Sequence, residues 1–158
     1  MLNKQQIENL QVRYLKDEDI NFIYNSFLKS LKHAFSSVPS EIYFNHLKLV
    51  LLKILERATV LVVHLKEDPN KILGYLIYER IKGIYVLHYV YVKHVYRNLK
   101  IASGLIKSSG YRKDEESGIA SFPIKKGEFS FFEKFNINYD PFILYEGVKL
   151  GGEKDDKN

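Results

Sequence analysis

Val90-Tyr91-Val92-Lys93-His94-Val95-Tyr96-Arg97-Asn98-Leu99-Lys100-Ile101-Ala102-Ser103-Gly104-Leu105 is the stretch on which the fold turns. It opens on the end of a β-branched and aromatic run, Ile84 to Val92, which reads as a strand. A polar stretch, Lys93 to Lys100, follows. Ile101-Ala102-Ser103-Gly104-Leu105-Ile106 then reads as a helix that Gly110 can end. The motif is strand, polar loop, apolar helix.

Working upstream, Lys82-Gly83 is a tight turn and Ile72 to Ile81 a preceding strand. Glu67-Asp68-Pro69-Asn70-Lys71 is a second turn, and the β-branched Thr59 to Leu65 is the first strand of a three-strand meander. Before it, Pro39 and Ser40 open a helix whose expected buried face is Tyr43, His46, Leu47, Val50, Leu51, Ile54 and Leu55. An earlier helix starts in the acidic Asp17-Glu18-Asp19 turn and carries Ile20, Ile23, Tyr24, Phe27, Leu28 and Leu31 on one stripe. The alternating Gln11 to Leu15 is a short strand. Downstream, Ser117 to Ile124 reads as a strand and Glu128 to Phe135 as a short helix packing Phe129, Phe132 and Phe135. Asn138 to Tyr145 reads as a turn and last strand, and Gly151 to Asn158 as a disordered polar tail. The order β-α-α-β-β-β-α-β-α-β predicts an α/β (α+β) domain over residues 1–150, a mixed sheet with helices on both faces.

In this setting, Arg97-Asn98-Leu99-Lys100-Ile101-Ala102 resembles the Arg/Gln-x-x-Gly-x-Gly/Ala loop of the Gcn5-related N-acetyltransferase (GNAT) superfamily. Arg97 and Ala102 match the first and last positions, and Lys100 replaces the middle glycine. By element order the resemblance extends from Gln11 to Tyr145. The Leu87 to Lys93 strand is also similar to small acetyltransferase-like proteins of bacteriophages. The resemblance implies an acyl-CoA N-acyltransferase-like fold with a mostly antiparallel sheet. It further implies acetyl-CoA as cofactor, with the pyrophosphate held by backbone N–H groups of Asn98, Leu99, Lys100, Ile101, Ala102 and Ser103. A helix start suits that role because its first amides are unbonded and its dipole end is positive. Arg97 and Lys100 add charge, and Val90, Tyr91 and Val92 offer backbone groups to the pantetheine arm. If the Lys100 position needs a positive φ, a side chain there costs on the order of 1 kcal/mol.

Composition sets the outer limits. A chain of 158 residues, 46% hydrophobic, carries one core and is not a disordered segment. With no cysteine, disulfides, thiolate metal sites and a thiol nucleophile are excluded. The five histidines show no metal-ligand spacing, so no metal is expected. No apolar run approaches a membrane span and the N-terminus lacks a signal-peptide pattern, so a cytoplasmic protein is the expectation. A net charge of +5 suits an anionic ligand. It also permits a nucleic-acid binder, but the charges are dispersed and no recognition motif appears, so none is expected. There is no nucleophile elbow and no phosphate-binding P-loop pattern. Lys125-Lys126 and Arg112-Lys113 read as solvated loop charges.

Acetyl transfer requires a neutral amine. With a lysine-like pKa, roughly one part in a thousand is neutral near pH 7.4, a handicap of about 4 kcal/mol. Glu79 is a candidate base, or else a solvated edge carboxylate paired with Arg80 or Lys82. His88 is another candidate, or else a half-buried strand histidine; alternation places it on one face with Val90 and Val92. Tyr89 and Tyr91 share the opposite face with Leu87 and either line an acceptor pocket or pack the sheet. The late helix has no Tyr to protonate the leaving thiolate, as the family often does; Ser130 could serve only by relay. Two readings therefore stand: an N-acetyltransferase acting on a primary amine, for which the resemblance implies a homodimer, or a catalytically degenerate binding or phage-associated module on the same fold.

Overall fold

The computed structural model describes residues 2–146. The expected tail, Gly151 to Asn158, and the last residues of the expected 1–150 domain lie outside them. The elements in chain order are α1 (Lys4–Glu8), β1 (Leu10–Tyr14), α2 (Ile20–Leu31), α3 (Ser40–Leu55), β2 (Thr59–Leu65), β3 (Asp68–Ile81), β4 (Ile84–Val92), α4 (Ile101–Ser108), β5 (Gly118–Ala120), α5 (Phe129–Lys134) and β6 (Ile137–Tyr139). They build a six-stranded sheet in sequential order β1 to β6. The pairings β1–β2, β2–β3 and β3–β4 are antiparallel, whereas β4–β5 and β5–β6 are parallel and need helical crossovers, which α4 and α5 supply.

The sheet has a core on each face. One face packs Leu61, Val63, Leu76 and Leu87 against Leu105 of α4 and Phe132 of α5. The other packs Val60, Val62, Tyr75 and Ile77 against Ile23 and Phe27 of α2 and Leu51 and Ile54 of α3. The apolar spacing of both long helices produces this arrangement. The buried face of α3 is narrower than its sequence suggests: Tyr43, Leu47, Leu51 and Ile54 are buried, while His46 and Val50 are exposed. The acidic Asp17 to Asp19 segment is a 3-10 turn before α2. Its Asp19 is buried against Arg13 of β1, with N–H donors at 2.6 and 2.9 Å.

Two expectations are corrected here. The last strand is Ile137–Tyr139, and Pro141–Tyr145 is a 3-10 helix, because Asp140 caps it by accepting from the Phe142 N–H and Pro141 fixes the first turn. Leu87 does not share a face with Tyr89 and Tyr91, nor His88 with Val90 and Val92. Between the pairs Tyr78↔Leu87 and Ile77↔Tyr89, β4 holds one residue more than β3. His88 is that extra residue, and the bulge reverses the alternation of the strand. Tyr85, Leu87, Val90 and Val92 thus join the α4–α5 core, and Tyr89 and Tyr91 the α2–α3 core.

Candidate active site

The bulge stands where β4 and β5 part. Their pairing covers Tyr85↔Gly118, Val86↔Ile119 and Leu87↔Ala120. It ends on a last bond from the Ser121 N–H to the Leu87 carbonyl at 3.2 Å. Beyond it Phe122 turns into the α2–α3 core and Pro123 has no N–H to offer a ladder. The remaining half of β4 is left with a free edge on this side. A cleft of about 360 Å³ fills the fork, running from the α4 loop through to the end of α2.

Backbone direction decides what the free edge presents. The Lys93 N–H donates to the Leu73 carbonyl at 2.9 Å. By the alternation of an antiparallel ladder, Tyr91 and Tyr89 then bond toward β3, while Val90 and Val92 direct N–H and C=O into the fork. Tyr91, expected to supply backbone groups to a ligand, is therefore committed to the sheet, because the bulge sets the strand's phase. Arg97 Nε donates to the Val92 carbonyl at 3.1 Å, which ties the loop to the strand. The Val90 pair is turned to the cleft.

At the cleft's α4 end the chain takes left-handed conformations at Asn98 (φ 68°) and Lys100 (φ 60°). Lys100 keeps the backbone shape that a glycine would adopt freely. Lys100 offers α4 no side-chain cap, and the first bond of the helix runs from the Gly104 N–H to the Lys100 carbonyl at 3.0 Å. Among the described residues no protein acceptor meets the N–H groups of Asn98, Lys100, Ile101, Ala102 and Ser103, whereas Leu99 closes the turn over Arg97 and Asn98. The Leu99 side chain packs into the core, while Arg97 and Lys100 are exposed at the rim, so neither plugs the space. Five amides and two cations before an open cleft fit a bound anion such as a pyrophosphate.

Of the candidate catalytic side chains, only His88 lies in the cleft wall, and its side chain is fully enclosed. Its Nδ1 is 2.7 Å from Ser121 Oγ, just past β5. Its Nε2 is 3.1 Å from Glu79 Oε1 on β3, a contact that lacks the alignment of a directed hydrogen bond. Glu79 also receives Arg57 Nε at 2.9 and 3.0 Å. Its partner is thus Arg57, not Arg80 or Lys82; Arg80 instead meets Glu116 at 2.9 Å. Burial by itself would raise the Glu79 carboxyl, but the contacts from His88 and Arg57 outweigh it and hold the group below its ordinary range. Glu79 sits behind His88 and not in the cleft wall, and Ser130 is exposed on α5 outside it. In α5 the cleft wall is made by Phe131 and Phe132.

The far end holds residues that sequence reasoning did not single out. Ser30 comes from the last turn of α2, His33 from the 3-10 turn that follows it, and Lys125 and Glu128 from the turn before α5. Nothing local marks them, because they meet only through the fold. Tyr89 joins them as the sequence allowed. Burial pushes its hydroxyl up to about 12, so it stays protonated at neutral pH.

No protein-family model matches the chain, and no curated protein matches its sequence. Solved structures do match its shape. A possible acetyltransferase from Clostridium difficile 630 is 17% identical with a TM-score of 0.54, over 83% of this chain and 91% of that one. A candidate acetyl transferase from Pyrococcus furiosus is 15% identical with a TM-score of 0.59, over 94% and 99%. A candidate acetyltransferase from Pyrococcus horikoshii is 15% identical with a TM-score of 0.54, over 81% of this chain and 43% of that one. The chain therefore has the GNAT, acyl-CoA N-acyltransferase-like fold. These likenesses do not carry the bacteriophage resemblance.

Proposed function

We propose that the protein is an N-acetyltransferase that moves an acetyl group from acetyl-CoA to a primary amine. One observation supports this above the others: Asn98, Lys100, Ile101, Ala102 and Ser103, whose amides have no protein acceptor, line the same cleft as the free Val90 edge. Amides at a helix start suit a pyrophosphate, and a free strand edge suits a pantetheine amide. Acetyl-CoA would supply a thioester as acyl donor.

The residues of this chain bind and orient. The Val90 N–H, directed into the fork, is placed to donate to an oxygen that gains charge as a carbonyl becomes tetrahedral. Bound acetyl-CoA would supply a thioester at this position, whose C–S bond would break with its electron pair going to sulfur as the amine nitrogen formed the new N–C bond. A thiolate whose parent thiol has a pKa of about 8.5 leaves without a positioned acid, so Phe131 and Phe132 in place of a Tyr are compatible with turnover. The nitrogen's proton passes to solvent. Glu79 and His88 act here as positioning residues: with Arg57 and Ser121 they bind β3, the bulge and the end of β5 together and hold the fork open. The amine then reacts from its neutral fraction.

Calorimetry with coenzyme A and thiol release from acetyl-CoA test the reading. Binding with acetylation of an amine is expected. No binding at millimolar coenzyme A would remove it. The second reading, a non-catalytic binding module, is favoured by the α5 wall of phenylalanines; it predicts coenzyme A binding with no thiol release from any amine.

A further inference from the structure

The fork is pinned at its apex and splayed one step beyond it. Just past the last ladder pair, Leu87↔Ala120, the side chains of His88 and Ser121 meet across the gap at 2.7 Å. The next residue on each side is aromatic: Tyr89 on the β4 prong and Phe122 on the chain leaving β5. Both rings turn to the α2–α3 face and pack edge-on to Phe27, at centroid distances of 5.0 and 5.2 Å. Tyr89 and Phe122 line the cleft, and Phe27 is fully buried behind them. Phe27 therefore touches both prongs where their pairing stops, one residue before the free Val90 edge.

The ring stands on a fixed support. Ile23, Phe27 and Leu31 recur at helical spacing and are all buried against the sheet. Elsewhere on α2, Phe22 packs edge-on to Tyr75 and Tyr91, and Ser26 Oγ is 2.8 Å from the Tyr75 hydroxyl, so the helix is tied to both β3 and β4. A close-packed interior transmits displacement and does not absorb it. We infer, resting on the acyltransferase reading above, that Phe27 is a positioning residue: packed on Tyr89 and Phe122, it sets how far the prongs stand apart and so where the Val90 N–H and C=O point. His88 and Ser121 close the apex, and Phe27 fixes the width beyond it. Its effect falls on the part of coenzyme A that lies along the strand edge. The phosphates sit at the start of α4, which packs on the opposite face of the sheet, and are spared.

The test is a backbone amide NMR titration of the full chain with coenzyme A, with calorimetry on the same samples. In the native protein the Val90 amide and those of Asn98 and Lys100 to Ser103 are expected to shift together. Phe27→Leu keeps an apolar side chain but removes both ring contacts. It should lose at least about half of the Val90 shift, keep the α4-loop shifts, and weaken coenzyme A roughly fivefold, the effect of misaligning about one hydrogen bond. Affinity for adenosine 3′,5′-bisphosphate should stay within about twofold of native, since that probe lacks the arm. Phe27→Met refills the volume with a flexible chain and should show the same pattern, which keeps the test open if Phe27→Leu does not fold. Ile54→Val, in the same core but on α3, is the control: it should lower Tm and leave the Val90 shift whole. A full Val90 shift in the Phe27 variants, an equal loss at Val90 and the α4 loop, or the same loss in Ile54→Val overturns the assignment and leaves the coenzyme A site standing. Failure of coenzyme A to bind the native protein overturns the acyltransferase reading and this inference with it.

Discussion

Lys100 allows the loop geometry to be tested separately from its charge. It sits at φ 60° and ψ 22°, where a non-glycine residue is strained by about 1–2 kcal/mol. Lys100→Gly removes that strain but gives back about 0.5–1 kcal/mol through the freer unfolded chain. The net expectation is a protein more stable by about 0.5–1 kcal/mol, seen as a rise in Tm of roughly 1–4 °C for a domain of this size. Lys100→Ala keeps the strain and is expected to match the native Tm. Both variants lose the same exposed charge, so both should weaken coenzyme A by a similar factor of about two to five, as one exposed charge pair does. Thermal denaturation and calorimetry on the three proteins read both effects. If glycine and alanine give the same Tm, the left-handed strain assigned to this position is wrong. If neither changes coenzyme A affinity, the charge at the rim takes no part in binding.

Three further outcomes are expected. His88→Ala leaves the buried Glu79 with Arg57 alone and strips Ser121 Oγ of its partner, so urea unfolding should show a loss of about 2–4 kcal/mol, and no loss would mean that the fork is held by other contacts. Because the Glu79 carboxyl is held below its ordinary range, its stabilisation is full above the unfolded value near pH 4 and fades as pH falls through the folded value; Glu79→Gln should flatten that acid limb, and an unchanged limb would contradict the pairing. Gly74→Ala would set a Cβ 2.5 Å from the Tyr91 carbonyl oxygen, pushing β3 from β4 at the cleft, with an expected cost of about 1–3 kcal/mol and weaker coenzyme A binding.

Much of this architecture was legible in the residues. The apolar spacing of Ile23, Phe27 and Leu31, the β-branched run from Thr59 and the Lys82-Gly83 turn each carry local signals strong enough to survive packing. The short α1 carries one local signal, the Asn-x-x-Gln spacing by which Asn3 and Gln6 form a capping box, and no apolar stripe to go with it. The apolar run Phe142 to Tyr145 mimics β chemistry, whereas Asp140-Pro141 starts a helical turn there. The loop from Arg97 to Ser103 was readable since its chemistry is contiguous. The bulge at His88 was not: a one-residue mismatch between β3 and β4 exists only in their pairing, and it moved His88 and Leu87 to faces that simple alternation denies them. The partnership of Glu79 with Arg57, 22 residues away, likewise depends on tertiary closure.

The central claim is that the start of α4 and the free edge of β4 together form one anion-and-amide receptor. A backbone amide NMR titration of the full chain with coenzyme A tests it most directly, with pantetheine and adenosine 3′,5′-bisphosphate as separate probes. The account predicts that coenzyme A shifts the amides of Asn98 to Ser103 together with that of Val90, and that pantetheine alone perturbs Val90 and spares the α4 loop. Shifts confined to other surfaces, with both groups of amides unmoved at saturating coenzyme A, would contradict it.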